Sequence, residues 1–165
     1  MKKLLLMVCM ALMSAATYAD EGDLWAGGNA NYSLHSDYKN AGLGVKGQYE
    51  FVKNFRAEAS ANYFFEKKDV SMWEFNVNVH WVFPISPSVN IYPLAGLAIL
   101  TAKSSAEVPG GGKVTENETK LGANLGAGIE FPIMDRLKFN FEAKYQIISD
   151  FDRPVISVGV AYQFM

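Results

Sequence analysis

The chain has two histidines, His35 and His80, and one cysteine, Cys9. His35 is followed by Ser36 and Asp37, so the residue types of a nucleophilic triad stand together. A working triad needs its base held between nucleophile and acid by separate pieces of backbone. Three consecutive residues cannot supply that geometry. His80 lies near Asn76 and Asn78, and two histidines with one cysteine fall short of the usual zinc ligand sets. Gly42-Leu-Gly44-Val-Lys-Gly47 has dinucleotide-motif spacing, but it lies in a strand pattern with no helix after it. Gly110-Gly-Gly-Lys113 has neither the spacing of a phosphate loop nor the hydroxyl residue after its lysine. The sequence therefore points to no catalytic residue, no cofactor and no metal.

Charge is the chemistry that remains. Lys46, Glu50, Arg56, Glu58, Glu74, Glu130, Lys138, Glu142 and Lys144 all fall within segments where polar and apolar residues alternate. Side chains of a strand point to opposite faces in turn, so alternation gathers these nine on one face. The clearest segments are Leu137 to Ile147, with Lys138, Asn140, Glu142, Lys144 and Gln146 on the polar face, and Trp73 to Phe83. Similar segments run over 24–34, 43–51, 55–65, 121–131 and 156–164; 89–101 is apolar on both faces, so its facing stays open. That makes eight strands with no helical period between them. Short turns are expected at 52–54, 84–88 and 132–136. Polar loops are expected at 35–40, 66–71, 102–120 and 148–154, with 102–120 the longest.

Lys2 and Lys3 precede the apolar run Leu4 to Met13, followed by Ser14, Ala15, Ala16, Thr17, Tyr18 and Ala19. This order predicts a secretory signal at 1–19 cleaved after Ala19, with a single domain over 20–165. Cleavage removes Cys9, so the mature chain is expected to have no disulfide or thiol chemistry. It also leaves 13 basic against 17 acidic residues, a net charge of −4 that argues against nucleic-acid binding. No later apolar run is long enough for a membrane helix, but strand-built membrane spans escape that test.

Across the seven strands of clear parity, the 40 positions on the apolar face include no Asp, Glu, Lys or Arg. A charge facing lipid is costly near the bilayer midplane, which would enforce such a pattern. A soluble barrel with an apolar ligand cavity would show similar alternation. The aromatics favour lipid. Phe51, Phe55, Tyr63, Phe65, Trp73, Trp81, Phe83, Phe131, Tyr145, Tyr162 and Phe164 crowd the apolar face toward strand ends, as interfacial girdles do. Gly27, Gly44, Gly122, Gly126, Gly128 and Gly159 lie on the opposite face, which suits a narrow interior filled by packed side chains. The fold expected is an all-β, eight-stranded antiparallel up-and-down transmembrane barrel.

The final strand, Gly159-Val-Ala-Tyr162-Gln-Phe164, carries a resemblance to the small outer-membrane barrels of the OmpA transmembrane-domain and OmpX type. That family usually ends on the aromatic itself; here Met165 follows Phe164. The resemblance implies a bacterial outer-membrane location with outer-membrane lipid around the barrel. It also implies periplasmic chaperones and the barrel-assembly machinery as partners during biogenesis, with Gly159, Tyr162 and Phe164 in the assembly signal. It implies a structural or surface-interacting protein rather than an enzyme, with a paired interior that acts as a plug. Loop 102–120 is where an extracellular partner would be read. A small low-conductance porin is the alternative. An enzyme on outer-leaflet lipid, like the deacylases and palmitoyltransferases of similar architecture, comes third.

Overall fold

The computed structural model describes residues 22–34, 39–67, 70–108, 112–149 and 152–165. The expected signal segment 1–19 lies outside the described residues, as do His35, Ser36 and Asp37. The strands are β1 (Leu24–Leu34), β2 (Lys39–Val52), β3 (Phe55–Lys67), β4 (Val70–Trp81), β5 (Phe83–Ser86), β6 (Val89–Val108), β7 (Gly112–Met134), β8 (Leu137–Ile148) and β9 (Arg153–Gln163). Each strand pairs antiparallel with its neighbours, β9 returns to β1, and β4 pairs with β6. The sheet thus closes on itself. Because β4 and β5 both pair with β6 and form two halves of one stave, the barrel has eight staves.

The break in that stave has a local cause. His80 pairs with Leu94 and Phe83 with Ile91, so the register is unchanged across Trp81 and Val82. Pro93 stands opposite the break, and proline has no N–H to give to a ladder. Val82 N–H instead donates to Asn54 O at 2.7 Å, tying the broken stave to the turn between β2 and β3. Asn54 adopts the left-handed conformation (φ 70°) that tight turns need and asparagine tolerates.

Alternation sorts the side chains as the sequence pattern requires. Along β8, Lys138, Asn140, Glu142, Lys144, Gln146 and Ile148 are buried inside, while Phe141, Tyr145 and Ile147 are exposed on the outer wall. Outward aromatics collect near the strand ends. Phe55 stacks on Trp81 with ring centroids 5.5 Å apart, and Trp81 meets Phe83 at 4.4 Å, toward the end carrying the termini. Tyr63 packs against Trp73 at 5.0 Å toward the other end. Val45, Val77, Leu97 and Leu125 lie exposed between them. None of the described residues forms a helix long and apolar enough to cross a membrane, and the strands supply the span.

Three expectations need correction. Residues 102–120 are not a loop: β6 and β7 stay paired from Asn90–Glu130 out to Val108–Gly112. Cross-strand pairs such as Thr101 with Thr119, whose hydroxyls lie 3.1 Å apart, carry the polar sequence on as a ladder. A polar sequence without apolar alternation does not betray such pairing. Segment 148–154 is also shorter as a turn, because β9 begins at Arg153. Finally, 84–88 is not wholly a turn, since Phe83–Ser86 pairs along the edge of β6.

Candidate functional site: the barrel interior

The interior is divided along its length. Near the end carrying the termini, Glu130 of β7 accepts from Arg56 Nη1 at 2.8 Å and Asn90 Nδ2 at 3.1 Å, with Lys138 Nζ at 3.5 Å. Lys138 Nζ also sits 4.0 Å from the centre of the Trp25 ring, so an aromatic face and a carboxylate share one ammonium. Arg56 lies over the Tyr92 ring at 5.1 Å and donates from Nη2 to His80 Nδ1 at 3.1 Å. His80 and Tyr92 stack at 4.7 Å.

Above this cluster, Tyr92 Oη donates to Glu142 at 3.2 Å and accepts from Asn140 Nδ2 at 3.2 Å. Lys46 Nζ donates to Asn140 Oδ1 at 2.7 Å and lies 4.0 Å from Glu58. Glu58 also accepts from Gln48 at 2.7 Å. Gly159 leaves room for this contact, because a Cβ there would lie 2.8 Å from Asn140 Oδ1 and 2.9 Å from Lys46 Nζ. Gly128 plays the same part for the Tyr92 ring, which a Cβ would strike.

At mid-height an amide layer crosses the lumen. Asn124 Nδ2 donates to Asn76 Oδ1 at 2.9 Å and Asn78 Oδ1 at 2.8 Å, and Gln146 donates to Asn124 at 3.1 Å. Glu74, wholly buried, then takes Asn76 Nδ2 at 2.6 Å, Lys144 Nζ at 3.6 Å and a short bond from Arg153. Arg153 also donates to Gln146 at 2.8 Å and lies 4.6 Å from the centre of the Phe64 ring. Beyond it Phe64, Met72, Leu100, Ile148 and Val155 form an apolar cluster exposed by no more than 2%, with the buried Ser33 and Asn40 of β1 and β2 at the same level.

Eight of the nine charged residues singled out from the sequence thus point into one lumen. Glu50 stands apart, half-buried at the turn end of β2, where its carboxylate accepts Asn54 N–H at 3.2 Å. Sequence reasoning missed three members. Arg153 sits in what reads as a turn, and its alternation with Val155 and Ser157 would have been the signal. Tyr92 is hidden in the strand that is apolar on both faces. The apolar cluster goes unread because Met72, Leu100 and Val155 fall outside clear alternation; Phe64 and Ile148 merely look like misfits on a polar face. Tyr162 and Phe164 are exposed on the outer wall, their rings 5.4 Å apart. Phe164 N–H donates to Leu24 O at 2.8 Å, and Met165 O accepts from Leu24 N–H at 3.1 Å, so the final methionine prolongs the closing ladder.

A sequence-family model agrees with the closed eight-stave barrel. The model of the outer membrane protein beta-barrel domain matches residues 4–164. The chain belongs to that family. It is a bacterial outer-membrane protein. Among solved structures, Ail of Yersinia pestis superposes with a TM-score of 0.62 at 23% identity, over 87% of this chain and 97% of Ail. The N-terminal β-barrel domain of Pseudomonas aeruginosa OprF gives 0.69 at 15% identity, over 87% and 100%. Neisserial surface protein A gives 0.68 at 14%, over 87% and 97%. At these identities the likeness is one of fold. No curated protein matches the chain in sequence.

Proposed function

We propose that this outer-membrane barrel is a closed, non-enzymatic structural element that presents its longest hairpin to the outside. The observation that carries the reading is the filled interior. Glu130 and Glu74 each bind one arginine and one lysine, and an apolar cluster closes the lumen beyond Glu74. An ion or solute crossing would have to break buried charge pairs and part a dry cluster, both costly in a low-dielectric interior. The termini lie on one side, which we place in the periplasm after removal of residues 1–19. Gly159, Tyr162 and Phe164 then lie in the strand read by the assembly machinery, with periplasmic chaperones escorting the chain and lipid receiving it.

The outward end would carry the β6–β7 hairpin. β4 accompanies β6 only as far as Ser104, and β8 accompanies β7 only from Gly122. Gly112 to Leu121 therefore projects as a paired ribbon with one edge unmatched by β8, a form that extended partners add to through backbone hydrogen bonds. Ail, which shares the fold, has been crystallised with the heparin analogue sucrose octasulfate.

Single-channel recording of the refolded barrel in planar bilayers tests the closed lumen. The expected record is a flat baseline. Discrete, reproducible openings would overturn the plug and establish the low-conductance porin instead.

A further inference from the structure

His80 is fully buried, and its Nε2 has no hydrogen-bond partner among the protein atoms. Leaving such a group dry costs its full desolvation penalty. Its surroundings give it a direction. One oxygen from each of Glu58 and Glu142 and one ring nitrogen of His80 lie within 4.8 Å of one another, and Nε2 is 3.9 Å from Glu58 Oε1.

Histidine between two carboxylates invites a metal reading, and two observations oppose it. Arg56 donates to Nδ1 from Nη2 at 3.1 Å, with Nε at 3.4 Å. A guanidinium has no acceptor, so Nδ1 must accept, and the ring proton of the neutral imidazole then sits on Nε2. A metal at Nε2 would have to displace that proton and leave an imidazolate. Second, charge is against it. Lys46, Arg56, Lys138, Lys144 and Arg153 already outnumber Glu58, Glu74, Glu130 and Glu142 in the described interior.

The three groups suit a neutral ligand of hydrogen-bond size, reached from Nε2, the ring nitrogen that Arg56 leaves free. Some point lies within about 2.8 Å of three atoms that are no more than 4.8 Å apart, the length of an O–H···O bond. The ligand must accept one hydrogen bond, from Nε2–H, and donate two, to Glu58 and Glu142. Water does both, and three polar partners are what a buried water usually has.

We propose that His80, Glu58 and Glu142 form a binding site for a single water molecule locked in the barrel interior, and that the site excludes divalent cations. The water accepts from His80 and joins two carboxylates that would otherwise face each other. It thereby links β3, β4 and β8 across the lumen.

The test uses the full chain refolded in lipid nanodiscs with ¹⁵N-labelled histidine. Long-range ¹H–¹⁵N spectra are expected to show the Nε2–H tautomer for His80, a cross-peak from that proton to bound water, and no change on adding equimolar zinc chloride. An Nδ1–H tautomer, a missing water cross-peak, or a stoichiometric shift with zinc would each overturn the proposal. Glu142→Leu removes one acceptor and should abolish the water cross-peak while heat-modifiable gel mobility reports a folded barrel. A folded Glu142→Leu barrel that keeps the cross-peak would overturn the three-partner site. If that variant does not fold, the wild-type spectra still decide.

Discussion

Glu130 and Glu74 are built alike and housed differently. Each binds one arginine and one lysine, Arg56 and Lys138 for the first, Arg153 and Lys144 for the second. Glu130 stands near the end carrying the termini, beside Asn90 and below an ammonium shared with Trp25. Glu74 is sealed between an amide layer and the apolar cluster of Phe64, Met72, Leu100, Ile148 and Val155. The same ion pairing therefore does different work. Glu130 keeps Asn90 as a further partner beside its two cations. Glu74 has no exposed surface at all, so charge balance there is a condition of folding.

Four substitutions test that contrast, each read by urea unfolding of the barrel refolded in lipid vesicles. Glu74→Gln should have the largest effect, a loss of about 3–5 kcal/mol, because Arg153 and Lys144 are left buried without an anion. Phe64→Ala should cost about 3 kcal/mol through the cavity it opens over Arg153. In the same variant, planar-bilayer recording should show current where the native barrel shows none. Arg56→Ala should cost less, about 1.5–3 kcal/mol, with the baseline still flat, since Lys138 stays on Glu130 and Arg153 still closes the far end. A cost for Arg56→Ala equal to that of Glu74→Gln would erase the distinction between the two ends. Glu118→Ala, on the projecting ribbon, should leave stability unchanged. Its side chain is exposed where it meets Lys120 at 3.3 Å, and such pairs contribute little.

The legibility of the fold varied with the environment of each strand. β8 and β4 read clearly because one face meets an apolar surround and the other a polar lumen, and alternation records that difference residue by residue. β6 did not. Tyr92, Leu94, Ala98 and Leu100 are buried inside while Ile91, Leu97 and Ile99 are exposed outside, so both faces are apolar for different reasons. The projecting ribbon failed in the opposite sense. Polar and without alternation, its sequence looks like that of a loop, and only the backbone pairing distinguishes the two. Arg153 was hidden by Asp152 and Pro154, which read as turn residues; Asp152 does cap a turn, accepting Ile148 N–H at 2.8 Å.

By itself, then, the sequence determined that the strands have a charge-free outer face, that they number eight, and that the interior must hold the charges that face excludes. Those are local facts, written in the two-residue period of each strand and enforced wherever a side chain meets lipid. The partners of each charge were decided only by the closed barrel. Glu74 with Arg153 spans 79 positions and Arg56 with Glu130 spans 74, and no local period relates residues so far apart. Register and closure brought them together, and with them the division of the lumen into a charged part and an apolar one.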